Sequence, residues 1–253
     1  MPSMRFILYP YKMGSESCKQ LASAIKANGK TVVRVHPDRN YRPRNSDFIV
    51  NWGSTHEPNW AYADILNRPS AVANAVDKLK TFQILKQAEV RPVPFTPDPQ
   101  EASNWPLICA RLVLNGHSGQ GIRVCKPESL VQAPLYTMML TPSEEYRVHV
   151  FKGEVIDYAK KMQRLPDGTV TAADHVHIKN SDNGFEFIRD VSPREGVCKR
   201  AIEAVNALGL DFGAVDVIRH KDKSYVLEVG TAAGLSPKGV QAYAQKIIEY
   251  AEN

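Results

Sequence analysis

Cysteine is scarce in this chain. There are four in 253 residues, Cys18, Cys109, Cys125 and Cys198, and none stands in a C-x-x-C pair. That argues against a cysteine-held metal and reads as reduced, mostly buried thiols. Long apolar runs are missing as well; none approaches the ~20 residues of a membrane-spanning helix. The start, Met1-Pro2-Ser3-Met4-Arg5, passes straight into a strand-like run, without the apolar core and small-residue cleavage site of a secretory leader. A cytoplasmic protein with no membrane partner is the expectation. Internal repeats, low-complexity segments and blocks of like charge are also absent. The net charge is +5 with a pI near 8.9, but the basic residues are dispersed and no nucleic-acid motif accompanies them. Nucleic acid is therefore not an expected partner, whereas a small polyanion suits the excess.

What is present is ordinary globular material, 43% hydrophobic and 23% charged. Arg5–Tyr9, Thr31–Val35 and Asp47–Asn51 read as strands. A helix over 16–27 begins at an N-cap, Ser15, and stops at Gly29. This pattern predicts a small α/β lobe over 1–70. Tyr11, Lys12, Ser15 and the Asn51–Ser54 turn follow strand ends, so they are candidates for a substrate surface or simply turn residues. One amphipathic helix is predicted over 71–87, closed by the proline-marked stretch 91–99. A central unit over 71–140 and a C-terminal unit over 141–253 complete the expected division. The last unit holds two predicted hairpins, Glu145–Phe151 with Glu154–Tyr158 and Phe212–Arg219 with Ser224–Val229, and a final helix capped by Ser236.

Three pieces carry chemistry. Asn115–Gly121 places three glycines in seven residues between two strands. Glycine allows positive φ and close backbone approach, so successive N–H groups can face a polyphosphate; a plain glycine-rich hairpin is the alternative. It is neither a Walker A loop nor a dinucleotide fingerprint, because no helix follows. Arg111, in the apolar strand before it, needs a partner, either a phosphate or a structural carboxylate. In the last hairpin, Asp216 and Glu228 fall roughly opposite each other across a tight turn. Two adjacent carboxylates in apolar strands repel, and Mg²⁺ relieves that; a coincidental exposed pair is the alternative. Arg147, Lys160, Lys161 and Arg164 supply cations nearby, either as a solvated edge or to neutralise a transferring phosphoryl group.

In this order, the helix segment Asp77-Lys78-Leu79-Lys80-Thr81, the glycine-rich hairpin, Glu145-Tyr146-Arg147-Val148, Asp216 and the run Leu227-Glu228-Val229-Gly230-Thr231-Ala232-Ala233-Gly234-Leu235 resemble the ATP-grasp superfamily. Its members include D-alanine–D-alanine ligases and ribosomal protein glutamate ligases. The runs Asn-Gly-His-Ser-Gly and Glu-Tyr-Arg-Val-His-Val are similar to those of small bacteriophage ATP-grasp proteins. The resemblance spans about residues 70–240; the first lobe fits the family only in style.

The resemblance implies an α/β (α+β) ATP-grasp fold, with a small N-terminal α/β lobe and two α+β subdomains gripping ATP. It implies ATP and Mg²⁺ as cofactors. For nucleotide contacts it implies Lys80, Arg111, Gly116, His117, Ser118, Gly119 and Gly121, the hinge Tyr136, Thr137, Met138 and Met139, and Glu145 at the ribose. Lys161 falls near the γ-phosphate, Asp216 and Glu228 are metal ligands, and Arg147, Lys161 and Arg111 are the catalytic cations. Two positions depart from the family. Gly230 stands where an asparagine ligates metal, and Ala214 where many peptide ligases carry an arginine, so the stabiliser of a developing oxyanion either comes from elsewhere, with Arg147 the candidate, or is absent. The function implied is a carboxylate–amine ligase acting through an acyl phosphate on small-molecule or peptide substrates, with a homodimer common in the family. An ATP-binding module with little catalysis, motivated by Gly230, and a phosphotransferase on the same scaffold are the alternatives.

Overall fold

The computed structural model describes residues 4–36, 41–58, 65–115, 120–173 and 176–253. Strand β1 (Arg5–Pro10) is followed by α1 (Glu16–Ala27), β2 (Thr31–Arg34), β3 (Asp47–Trp52) and β4 (Ile65–Leu66). These strands form a four-stranded sheet in the order β2-β1-β3-β4, with parallel pairing throughout. A parallel strand covered on both faces reads as a continuous apolar run, and β1 is buried from Phe6 to Pro10. Ser15 caps α1, its Oγ accepting from the Cys18 N–H at 3.4 Å.

The single helix predicted over 71–87 is two: α2 (Pro69–Val76) and α3 (Lys78–Gln87). Asp77 breaks it. Its backbone is extended, its side chain accepts from Lys80 N–H at 3.0 Å, and Thr81 Oγ1 donates to Asn74 O and Asp77 O at 2.8 Å each. An aspartate that caps a new first turn competes with continuing the old helix.

The middle of the chain supplies β5 (Phe95–Thr96), α4 (Pro99–Ala102), β6 (Ile108–Arg111), β7 (Ile122–Cys125) and β8 (Leu135–Met138), an antiparallel sheet in the order β5-β8-β6-β7. The remainder forms β9 (Glu144–Phe151), β10 (Glu154–Arg164), β11 (Val170–Thr171), β12 (Phe185–Ile188), α5 (Glu195–Ala207), β13 (Phe212–His220), β14 (Lys223–Gly230) and α6 (Pro237–Glu252). Its sheet runs β11-β10-β9-β13-β14, with β12 also paired to β10. Lys160, Lys161 and Arg164, expected after a short strand, lie within β10. That strand continues because β11 and β12 give its second half partners. The outer edge of β14 is covered by the proline-marked stretch: Val93 N–H donates to Val226 O at 3.0 Å and Val226 N–H to Arg91 O at 2.9 Å.

The large sheet has two faces of different character. Tyr146, Val148, Val150, Tyr158, Val215, Val217, Val226 and Val229 join a core with α2, α3 and α5. On the other face, Phe151 and Phe212 join Trp52, Leu21, Ile25 and the α6 residues Val240, Tyr243 and Ile247. Trp52 stacks on Phe212 with centroids 5.5 Å apart. The first lobe therefore shares a core with the final helix.

A single buried side chain fastens this junction. Asn67, at φ 58°, is fully buried. Its Oδ1 accepts from Asp211 N–H at 2.7 Å and Phe212 N–H at 3.1 Å, and its Nδ2 donates to Phe212 O at 2.9 Å. Asparagine tolerates this left-handed backbone better than most residues. Asn67→Ala leaves three buried groups unpartnered and should cost about 2–4 kcal/mol of unfolding free energy in urea titrations. A loss under about 1 kcal/mol would mean that apolar packing alone joins the lobes.

Candidate active site

The alternation in Glu145-Tyr146-Arg147-Val148-His149-Val150 places its polar members together on the face opposite α5. Neighbouring strands continue the rows. Arg147 lies opposite Asp216, Asp216 opposite Glu228, and Glu145 opposite Lys161. The predicted opposition of the two hairpin carboxylates is thus the observed register. Arg147 grips Asp216 with two hydrogen bonds, Nε to Oδ1 at 2.7 Å and Nη2 to Oδ2 at 2.8 Å. Lys161 donates to Glu145 Oε1. The Phe187 ring lies against both cations, with its centroid 4.4 Å from Arg147 Cζ and 5.4 Å from Lys161 Nζ.

Electrostatics follow from burial and pairing. Burial raises the Asp216 carboxyl, but the Arg147 charge and hydrogen bonds outweigh it and hold the group below its ordinary range. For Glu145 the order reverses: desolvation is the larger effect and pushes its carboxyl up despite Lys161. Both groups are nearly inaccessible, at 6% and 7% exposure, and such charges are retained at a cost in desolvation.

A cation that the sequence pattern missed completes the row. Lys78, 7% exposed at the start of α3, donates from Nζ to Glu228 Oε1 at 3.3 Å. Its backbone N–H also donates to Leu114 O at 3.3 Å, tying α3 to the chain leaving β6. Lys80, the lysine expected there, is exposed. The break at Asp77 resets the helical phase and turns the earlier lysine inward.

Arg111 is 5% exposed on β6, and its Nε has no hydrogen-bond partner among the described residues. Gly116, His117, Ser118 and Gly119 lie outside the described residues. Gly121 sits at φ 68°, and a Cβ there would fall 2.9 Å from a methyl of Val113, so the strand pair needs glycine. Of the predicted hinge, Tyr136 is fully buried and its hydroxyl donates to Val131 O at 3.0 Å while accepting from Ala133 N–H at 2.8 Å. Thr137 is buried, and the Met138 and Met139 N–H groups donate to Pro94 O and Leu107 O at 2.9 and 3.0 Å. Those two amides are thus engaged within the protein.

The first lobe meets the site through one close approach. A Cβ on Gly53 would lie 2.6 Å from Ala232 Cβ, in the loop after β14. Ser15 and Asn51, weighed as substrate contacts, are structural. Ser15 caps α1, and Asn51 bridges Ser54 O and Asn67 O at 2.8 Å each. Tyr11 is 47% exposed and remains on the surface near this approach.

No family model matches the chain. A curated relative, the probable alpha-L-glutamate ligase of Aeromonas salmonicida (strain A449), is 26% identical over 213 residues, 74% of this chain and 67% of the relative. The D-alanine–D-alanine ligase of Bacillus anthracis superposes with a TM-score of 0.69 at 14% identity, covering 99% of this chain and 98% of that one. The ATP-grasp ligase PsnB, solved with its minimal precursor, Mg and ADP, gives 0.69 at 15% identity and covers 99% of both chains. The macrocyclase MdnC with its precursor peptide MdnA, from Microcystis aeruginosa MRC, gives 0.64 at 14%, covering 97% of this chain and 99% of that one. This chain has the ATP-grasp fold.

On the same sheet face the rows beside the charged residues carry His149, opposite Ala214, which is in turn opposite Gly230. His149 is 1% exposed, with Nδ1 3.2 Å from the Tyr243 hydroxyl. Burial, reinforced by Arg147 and Arg189 and opposed by Asp157 and Asp216, pushes its imidazole down to about 4. The folded value is below the ordinary one of 6.5, so the unfolded chain takes up the proton first as pH falls. Its contribution to stability is full above pH 6.5 and is lost toward about pH 4. His149→Gln keeps a polar partner for Tyr243 and does not titrate. Its unfolding free energy should fall less steeply than that of the wild type over this window, by on the order of 2 kcal/mol in denaturant titrations. Parallel curves would remove His149 from the pH dependence.

Proposed function

We propose that this chain is an ATP- and Mg²⁺-dependent carboxylate–amine ligase. The γ-phosphoryl group of ATP passes to a substrate carboxylate, giving an acyl phosphate and ADP. An amine then attacks the acyl carbon, forms the amide and expels phosphate. The observation that carries this reading is the single sheet face on which Lys161, Glu145, Arg147, Asp216 and Glu228 stand together with Lys78.

The residues fit their proposed ligands. Arg111, on the strand before the glycine-rich loop, has a buried Nε without a partner among the described residues, and an ATP phosphate satisfies it. Asp216 and Glu228 are two adjacent carboxylates, the donor set that Mg²⁺ takes together with phosphate oxygens. When bound, Mg²⁺ neutralises phosphate charge in the transferring group. Glu145 takes the ribose hydroxyls. Lys78, Lys161 and Arg111 bind phosphates, and Arg147 neutralises the charge that develops on the carbonyl oxygen in the absence of an arginine at Ala214. The substrates are small-molecule or peptide acids and amines. The curated relative is named for α-L-glutamate and two of the solved relatives hold precursor peptides, so glutamate, free or in a peptide, heads the panel of acids.

A second reading, a nucleotide-binding module with little turnover, is favoured by Gly230. Its backbone is not left-handed, and an added Cβ would meet Ala214 O at 3.7 Å and Ala233 Cβ at 3.9 Å, both ordinary contacts. Neither strain nor crowding demands glycine there, so an asparagine can be introduced.

Two measurements test these assignments. With ATP, Mg²⁺, the acid panel and hydroxylamine as amine, the wild type should release ADP and form a hydroxamate, and Gly230→Asn should change the rate by less than about 3-fold. No ADP release across the panel would end the ligase reading, and a gain of about 10-fold or more in Gly230→Asn would favour the module. In calorimetry, Lys78→Met should weaken Mg²⁺–nucleotide binding about 10-fold while Lys80→Met stays within about 2-fold; the reverse order would restore the lysine first expected.

A further inference from the structure

Every carboxylate assigned above to nucleotide or metal already holds a cation. Arg147 takes both oxygens of Asp216, Lys161 takes Glu145, and Lys78 takes Glu228. Mg²⁺ and ribose draw on these same carboxylates. On binding, Arg147 and Lys161 therefore lose part of their anionic support at the point where Lys161 is needed to face phosphate and Arg147 the substrate's carbonyl oxygen. Both are long side chains with many rotamers, and nothing in their own strands then prevents them from swinging toward solvent.

Phe187 is the contact that does not leave. Strand pairing sets it opposite Lys161, and its ring lies within the range of cation–π attraction of both cations, 4.4 Å from Arg147 Cζ and 5.4 Å from Lys161 Nζ. The strand that carries the ring is held independently of them. Two residues on, Arg189 Nε donates to Asp157 Oδ2 at 3.1 Å. Asp157 is 4% exposed, and its Oδ2 lies 3.2 Å from where a Cβ on Gly239 of α6 would be, so this anchor is wedged against the final helix. One residue before Phe187, Glu186 pairs with Arg164 on the neighbouring strand. The segment is thus held from both sides by ion pairs that use no group of the nucleotide site.

We propose that Phe187 is a positioning residue whose ring face holds Arg147 and Lys161 in the site while Mg²⁺ and ribose occupy Asp216 and Glu145. This rests on the nucleotide-binding half of the proposed function. It has a signature that simple packing lacks: the ring matters most when Mg²⁺ competes for Asp216.

The test is calorimetric binding of AMPPNP, once with MgCl₂ and once with EDTA, to the wild type, Phe187→Leu, Phe187→Met and Phe187→Tyr. Leucine and methionine keep apolar bulk and lose the ring, and tyrosine keeps the ring. Loss of AMPPNP affinity in both ring-less variants should be about 5–10-fold with Mg²⁺ and no more than about 2-fold in EDTA, with Phe187→Tyr close to wild type. Thermal midpoints serve as the control, and methionine stands in where leucine unfolds the chain. Equal losses with and without Mg²⁺, or failure of tyrosine to restore binding, would overturn the proposal. If the wild type itself binds no AMPPNP under either condition, the nucleotide site is wrong and this inference falls with it. Wild-type binding with no effect of the ring-less variants removes Phe187 alone.

Discussion

Arg147 and Asp216 face each other across two neighbouring strands in a setting where neither can be left alone. An aspartate at 6% exposure, stripped of its guanidinium, is an uncompensated buried charge, and removing one partner of such a pair costs about 3–5 kcal/mol. The pair fixes the register of β9 against β13, because a slip of one residue turns Asp216 into the α5 core and Val215 or Val217 out of it. Glu145 and Lys161 then fall one step along, and Glu228 one strand over. The charged face is thus one arrangement set by a single pairing.

Such a pair contributes little net stability and is better understood as a device for holding two opposite charges ready at fixed positions. Lys78 extends the device into another part of the chain. It brings the start of α3, and through Leu114 the chain leaving β6, against the edge of the carboxylate row. Arg111 stands apart from this scheme as a buried cation whose Nε has no internal partner among the described residues. One half of the site is internally balanced and the other carries an unanswered charge, a combination suited to a ligand bearing several negative charges and a metal.

Much of this was legible in the residues. Strict alternation in Glu145–Phe151 reports a half-buried strand, and a tight turn between two apolar runs fixes Asp216 opposite Glu228. The ATP-grasp resemblance followed from the order of those pieces. Other features left no pattern to read. The apolar spacing over 71–87 is continuous, so it conceals the break at Asp77 and with it the choice between Lys78 and Lys80. β10 looks short because its second half alternates poorly, and only pairing with β11 and β12 extends it through Lys160, Lys161 and Arg164. Tyr136 sits in a run that suggests a ligand hinge, yet its hydroxyl is bonded to the segment just before β8. Asn67 is one polar residue in an unremarkable segment, and its three side-chain hydrogen bonds depend on a strand edge more than a hundred residues away.

The mixed core shared by the first and last elements bears on how the chain can be made. One side of the N-terminal sheet closes on local material, with Ile7, Tyr9, Val35, Ile49 and Ile65 forming their own cluster. The other side places Phe6, Leu8, Leu21, Ile25 and Trp52 against Phe212 and against Val240, Tyr243 and Ile247. During synthesis residues 212–247 emerge well after residues 6–52, so the first lobe waits with one side only partly covered by α1 until they are available. The lobe that is made early is thus finished late, and loss of α6 would be felt in β1, α1 and β3.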